Sequence, residues 1–330
     1  MKPMKQLAAL ALAATFAQPV LAGVEEALDH HILPGFAAFA EAADDLGQAA
    51  ARDCRADNLA PAYHHAYDAW MQVADLRLGP SETGALSIAF WPDTRGFTRR
   101  TLSQLINDQD PVAHHPDDYA EVSIAARGFF ALDMLLFDPA FAYQPGSYTC
   151  ALVEAIALDL ADQAEALDHA WRDDFAPVLR SAGEAGNATY LDRGEALRAL
   201  YTQLLSGVEF TADQRLGRPM GTFDAPRPAR AEAWRSARSL RNVLLSVDAA
   251  GALAHTLATG DLPGTDAATA RIHALAEGIS DPGFQDVTDP QARLRVEILQ
   301  QAVRGLNDAI EAEIGAPLGI APGFNSQDGD

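Results

Sequence analysis

The residues best equipped for chemistry are histidines, and their spacing narrows what they can do. Six of the nine fall in adjacent pairs, His30-His31, His64-His65 and His114-His115. Neighbours on a helix point about 100° apart, so a pair rarely supplies two ligands to one ion, and the residue three or four positions on matters more. His65 and Asp68 stand at i, i+3 and His64 and Asp68 at i, i+4, which puts an imidazole and a carboxylate on one helix face where a metal could sit. A surface histidine beside an acid is the commoner meaning of that pattern. His114-His115-Pro116-Asp117-Asp118 offers two imidazoles and two carboxylates, but it reads as a loop whose Asp caps the next helix. The sequence lacks H-E-x-x-H, G-x-S-x-G, a phosphate loop and paired C-x-x-C, which argues against the common zinc proteases, serine hydrolases and nucleotide enzymes.

Charge gives a second lead. The chain carries 46 acids against 24 bases, a formal charge of -22 over 330 residues. That balance does not suit nucleic acid, whose phosphates are met by Lys and Arg, or an anionic membrane surface. Against it, Arg227, Arg230, Arg235, Arg238 and Arg241 fall in one short window with Glu232 as its single acid. Read as a helix, that window sets residues 235, 238 and 241 on one positive side. Such a stripe must face acids: either salt bridges to neighbouring helices or an anionic ligand such as a carboxylate. Beyond Lys2 and Lys5 the chain has no lysine, which excludes a lysine-centred covalent mechanism for the exported form. Trp70, Trp91, Trp171 and Trp234 are spaced as core aromatics. The tail Gly323 to Asp330 has oxygen ligands but not the length of a calcium loop, and reads as a capping tail.

These side chains need positioning elements, and apolar residues recur at helical spacing almost throughout. The pattern predicts helices over 24–53, 58–76, 81–89, 97–108, 117–136, 147–181, 190–214, 229–258, 265–279 and 288–313, an all-α chain of packed bundles. Breaks fall at Gly79-Pro80, Trp91-Pro92-Asp93, Pro145-Gly146 and Asp281-Pro282-Gly283. Residues 1–22 have the Lys start, apolar core and small-residue end of a cleaved export signal, with too short an apolar run to span a bilayer. Two domains are expected, 23–185 and 186–330, without an anchor. In an oxidising compartment Cys54 and Cys150 either form a disulfide or remain as two buried thiols.

Several segments together resemble the imelysin family of exported bacterial proteins. They are Trp70 followed by Leu78-Gly79-Pro80, Phe90-Trp91-Pro92-Asp93, Arg127 to Phe137, Glu232 to Asn242, and the Gly-Phe-Asn to Asp-Gly-Asp end. The resemblance implies two helical-bundle domains, a periplasmic location, a role in iron acquisition, and a periplasmic redox or iron-uptake partner. It also implies a G-x-H-x-x-E helix whose His and Glu could share a metal, with iron or zinc the ions to consider. Here the Gly is Gly128, but Phe130 stands at the His position and Asp133 at the Glu position. Phenylalanine neither ligates a metal nor moves a proton. The favoured reading is therefore a non-catalytic binding or accessory protein, with Asp133, Arg127, Arg235, Ser236, Arg238 and Ser239 lining a site for an anionic ligand or partner. The alternative is a metal-dependent hydrolase whose ion has moved to His65 and Asp68.

Overall fold

The computed structural model describes residues 23–320; residues 1–22, where an export signal is expected, and 321–330, with the tail Gly323 to Asp330, lie outside the described residues, as do the side chains of Pro116 and Asp117. Among the described residues the chain is all-α, built on ten main helices without a strand. Helix α1 runs Val24–Ala27, Leu28–Ile32 and Leu33–Arg52 as one rod. It is followed by α2 (Ala56–Met71), α3 (Ser81–Ile88), α4 (Phe97–Asp108) and α5 (Gly128–Phe137). Helix α6 runs Tyr148–His169, Ala170–Phe175 and Ala176–Arg180, and α7 runs Arg193–Phe210, Thr211–Leu216 and Gly217–Met220. Then come α8 (Ser239–Leu257), α9 (Pro263–Ala276) and α10, which runs Pro290–Ile310, Glu311–Gly315 and Ala316–Leu318.

The four composite rods share a cause. Each middle segment is a π turn, and each is followed within three residues by a proline inside the rod: Pro34, Pro177, Pro219 and Pro317. Proline cannot donate to the carbonyl four residues back, and its ring crowds that carbonyl. Widening the preceding turn relieves the clash while the rod continues. Side-chain caps set several of the starts: Asp93 accepts from the amides of Phe97 and Thr98 at 3.0 and 2.8 Å, and Asp289 accepts from Gln291 and Ala292.

Helix α1 packs against α2 and α6, and α5 against α2 and α6; in the second half α9 packs on α10 and α7 on α8 and α10. The two groups meet where α8 lies across α1 and α2. One continuous apolar cluster runs through both, from Phe36, Phe39 and Trp70 to Val243, Leu299 and Ile310. Cys54 and Cys150 are joined in a disulfide that ties the loop before α2 to the first turn of α6.

Two expected helices are broken. The stretch 117–136 divides into short turns before α5, because Ser123 caps a separate turn at Ala125 and Gly128 adopts φ +67°. A Cβ at Gly128 would stand 2.1 Å from the carbonyl oxygen of Ile88, so only glycine lets α5 start against the end of α3. The stretch 229–258 is α-helical only from Ser239, after a single 3-10 turn at Pro228–Arg230. Ala233 and Ala237 take φ values of 45° and 55°, and the left-handed turns they make uncoil residues 231–238 into a loop. The arginine stripe is thus corrected: Arg235, Arg238 and Arg241 do not share one helix face.

Candidate functional site

Helix α5 is apolar on every side, and Asp133 is its one ionisable residue, 1% exposed. A buried carboxyl needs donors, and the loop before α8 supplies them. Asp133 Oδ1 accepts from Ser236 Oγ at 2.5 Å, from the Ser236 amide at 3.2 Å and, at the limit, from Tyr63 Oη at 3.5 Å. Its Oδ2 lies 3.9 Å from Arg235 Nη1. Burial pushes this carboxyl up to about 6, with Ser236 and Arg235 opposing the shift only in part. Asp133 therefore faces an arginine and a serine from the second half, not His65.

The same loop makes a seam of charge. Arg235 Nε donates to Asp138 at 2.9 Å, and Arg99 also pairs with Asp138. Arg238, 1% exposed, donates to Asp68 at 2.6 Å, to the His64 carbonyl at 3.2 Å and to Asn242 Oδ1 at 3.2 Å; its guanidinium also meets His64 Nδ1 at 3.1 Å and lies 4.6 Å over the Tyr67 ring. Arg241 takes the other side of Asp68. Burial pushes the Asp68 carboxyl up, but the hydrogen bonds from Arg241 and Arg238 outweigh it and hold the group below the ordinary value. Burial and the Arg238 charge lower the His64 pKa, and because the Arg238 guanidinium can only donate, His64 Nδ1 is the acceptor of their contact. Deeper in the seam Asn242 and Arg215 both donate to Glu232, and Arg215 reaches Asp75 at 3.0 Å. The acids Asp68, Asp75, Asp133 and Asp138 come from the first half, and Arg215, Arg235, Arg238 and Arg241 from the second. Ser239 Oγ donates to the Glu232 carbonyl at 2.6 Å and closes the loop on itself.

The other expected site residues lie elsewhere. Arg127 grips Asp159 with Nε at 2.9 Å and Nη2 at 2.6 Å and donates to the Ala120 carbonyl, away from Asp133. His65 is exposed, and both Asp68 oxygens are held by arginines. His114 and His115 are exposed in their loop. Among the described residues no three His, Cys, Asp or Glu side chains gather where they could hold a metal ion. The residues at the position where the resemblance puts a metal pair do not fit an ion: Phe130 has no ligand atom, and the Asp133 oxygen nearest the loop already takes the Ser236 hydroxyl and amide.

Phe130 instead lines a cleft of about 250 Å³ beside Asp133. Trp91 and Trp234, expected in the core, are half-buried on its walls, whereas Trp70 and Trp171 are core residues. The Trp91 and Phe130 rings are near parallel at 6.4 Å, and the Arg235 guanidinium lies 4.5 Å over Trp234. Sequence reasoning missed Tyr63, Asp138, Arg99 and Arg218 here. Asp138 and Arg218 each precede a proline, Pro139 and Pro219, but no local signal brings the four together, since they come from distant segments.

A family model described as imelysin matches residues 32–310. Among solved structures, an imelysin-like protein from Psychrobacter arcticum superposes with a TM-score of 0.74 at 18% identity, covering 91% of this chain and 96% of that one. A protein assigned as an iron-regulated protein A precursor from Parabacteroides distasonis superposes with a TM-score of 0.68 at 13% identity, covering 88% and 94%. At those identities the likeness establishes the fold. No curated protein matches the chain.

Proposed function

The chain belongs to the imelysin family, and on that premise we propose that it is an exported, periplasmic binding or accessory protein of iron acquisition that recognises an anionic ligand or partner and does not hydrolyse peptides. The observation that carries this reading is the setting of Asp133. The carboxylate at the position where the resemblance puts a metal-binding Glu is buried and held by the Ser236 amide and hydroxyl beside Arg235. Its neighbour one helical turn back is the phenylalanine that walls the cleft. A carboxylate so held is a structural anchor that fixes the arginine loop at the rim. The Parabacteroides protein with this fold is named for iron regulation, which supports the iron-related role. Lys2 and Lys5 with the apolar run after them support export, and a periplasmic redox or iron-uptake protein is the partner this role calls for.

Elemental analysis of protein purified from periplasm, together with a digestion assay on unfolded protein, tests the reading. Zinc and iron are expected well below one per chain, with no cleavage above a metal-free control. A tightly held stoichiometric metal that is lost in His65→Ala or Asp133→Ala would overturn it in favour of a metallohydrolase.

A further inference from the structure

The cleft beside Asp133 is lined by four arginines, Arg99, Arg218, Arg230 and Arg235, against two acids, Asp93 and Asp133. Both acids are already engaged, Asp93 with the amides that start α4 and Asp133 with Ser236. Asp138, just outside, takes Arg99 and Arg235. That leaves Arg218 and Arg230. Arg218 Nε donates to the neutral Gln214 amide oxygen, and among the described residues neither guanidinium reaches a carboxylate. The two repel, since the Arg218 pKa is lowered by burial first and by the Arg230 charge second. Two arginines without a carboxylate partner make this cleft locally positive in a chain with formal charge -22, and such a field favours a bound anion.

Two residues of the wall hold a polar atom that is sealed from the cleft and unpartnered. Thr98, 3% exposed, lines it, and its Oγ1 is buried without a hydrogen-bond partner. Trp234 Nε1 is buried and unpartnered in the same wall. The remaining wall is aromatic, with the Trp91 and Phe130 rings side by side. A volume of about 250 Å³ sits just under the roughly 300 to 1,000 Å³ typical of drug-sized ligands, which suits a single-ring molecule and is too small for a folded peptide or a tetrapyrrole.

We infer that this cleft binds a small, ring-bearing organic carboxylate, with Arg218 and Arg230 taking the carboxylate and the ring lying on the Trp91 and Phe130 wall. The fork of a guanidinium matches a carboxylate through two parallel hydrogen bonds. This names the ligand class for the binding role proposed above and rests on that reading.

The test is a nuclear magnetic resonance titration of the full exported chain, following the indole Nε1–H signals. The probes are benzoate, its neutral isostere benzamide, ring-less acetate and inorganic phosphate. Benzoate is expected to saturate and to move the Trp234 indole signal, with benzamide and acetate at least about tenfold weaker. Arg218→Gln and Arg230→Gln should each weaken benzoate at least about tenfold, the loss expected for a hydrogen bond to a charged group. Arg230 is exposed, so Arg230→Gln keeps the fold, and its melting curve checks this. Absence of saturable benzoate binding, unchanged affinity in both variants, or phosphate binding stronger than benzoate would each overturn the inference. The metal and digestion assays are independent of this one: if benzoate fails while metal stays low, the binding role stands with another ligand.

Discussion

Replacing Asp133 by Asn should stabilise the protein at neutral pH, and the size of the effect follows from the burial of the carboxyl. An aspartate ordinarily titrates near 3.8, whereas this one is pushed up to about 6 by burial. The native state therefore holds the proton more tightly than the unfolded chain, so stability is highest with Asp133 protonated and falls as pH rises from about 4 to about 6. At about 1.4 kcal/mol for each pH unit, the ionised group costs about 3 kcal/mol at neutral pH. Asn mimics the protonated carboxyl: its Oδ1 still accepts from the Ser236 amide, and Ser236 Oγ already has the Ala233 carbonyl at 3.1 Å as an alternative acceptor. Urea denaturation followed by circular dichroism from pH 4 to 7.5 should show Asp133→Asn more stable by up to about 3 kcal/mol above pH 6.5, the gap closing towards pH 4. The comparison must be a difference between the two proteins. Burial lowers His31 to about 4, so it loses stability as pH falls from 6.5, and the lowered Asp68 and Asp138 act in the same direction. A variant of equal stability at every pH, or one less stable at pH 7.5 than at pH 4.5 relative to the parent, would show that Ser236 and Arg235 favour the ionised carboxylate and would refute the reasoning.

Other outcomes follow from the seam and the disulfide. Arg238→Met should lower stability by about 3 kcal/mol, since it strips a buried partner from Asp68 and leaves Arg241 alone there, whereas Arg241→Met, at an exposed position, should cost under about 1 kcal/mol. Equal losses for the two in urea titrations would contradict the burial difference. Reduction, or the double change Cys54→Ser and Cys150→Ser, should lower stability by about 2 to 5 kcal/mol because the bridge closes a loop with a sequence separation of 96. Denaturation with and without reductant measures this, and no difference would mean the reduced chain stays constrained.

The all-α class was legible because apolar spacing at a 3.6-residue period is a local property of the chain. The fault at 229–238 came from the same source. The sequence there has good helix formers throughout, so propensity favours a helix, but Ser236 and Arg235 are pulled to Asp133 and Asp138 on α5 and its exit. Tertiary contacts of that kind override local preference. The expectation that the arginines must face acids held for Arg235, Arg238 and Arg241, though which acids they met was not readable. Trp91 and Trp234 look like core residues by type, and only the chain's path left them on an open wall.

From its sequence alone this protein was determined to be helical, acidic and almost free of lysine, because each is a property of residue type or near-neighbour spacing. The tertiary structure decided which carboxylate meets which arginine: Asp133 with Ser236 and Arg235, Asp68 with Arg238 and Arg241, and Arg127 with Asp159. Partners separated by a hundred residues or more are chosen by how helices pack, and packing is settled by the shape of the whole apolar core. The same packing left Arg218 and Arg230 on the cleft without a carboxylate partner of their own among the described residues, because its acids Asp93 and Asp133 are engaged elsewhere, and no stretch of sequence records that.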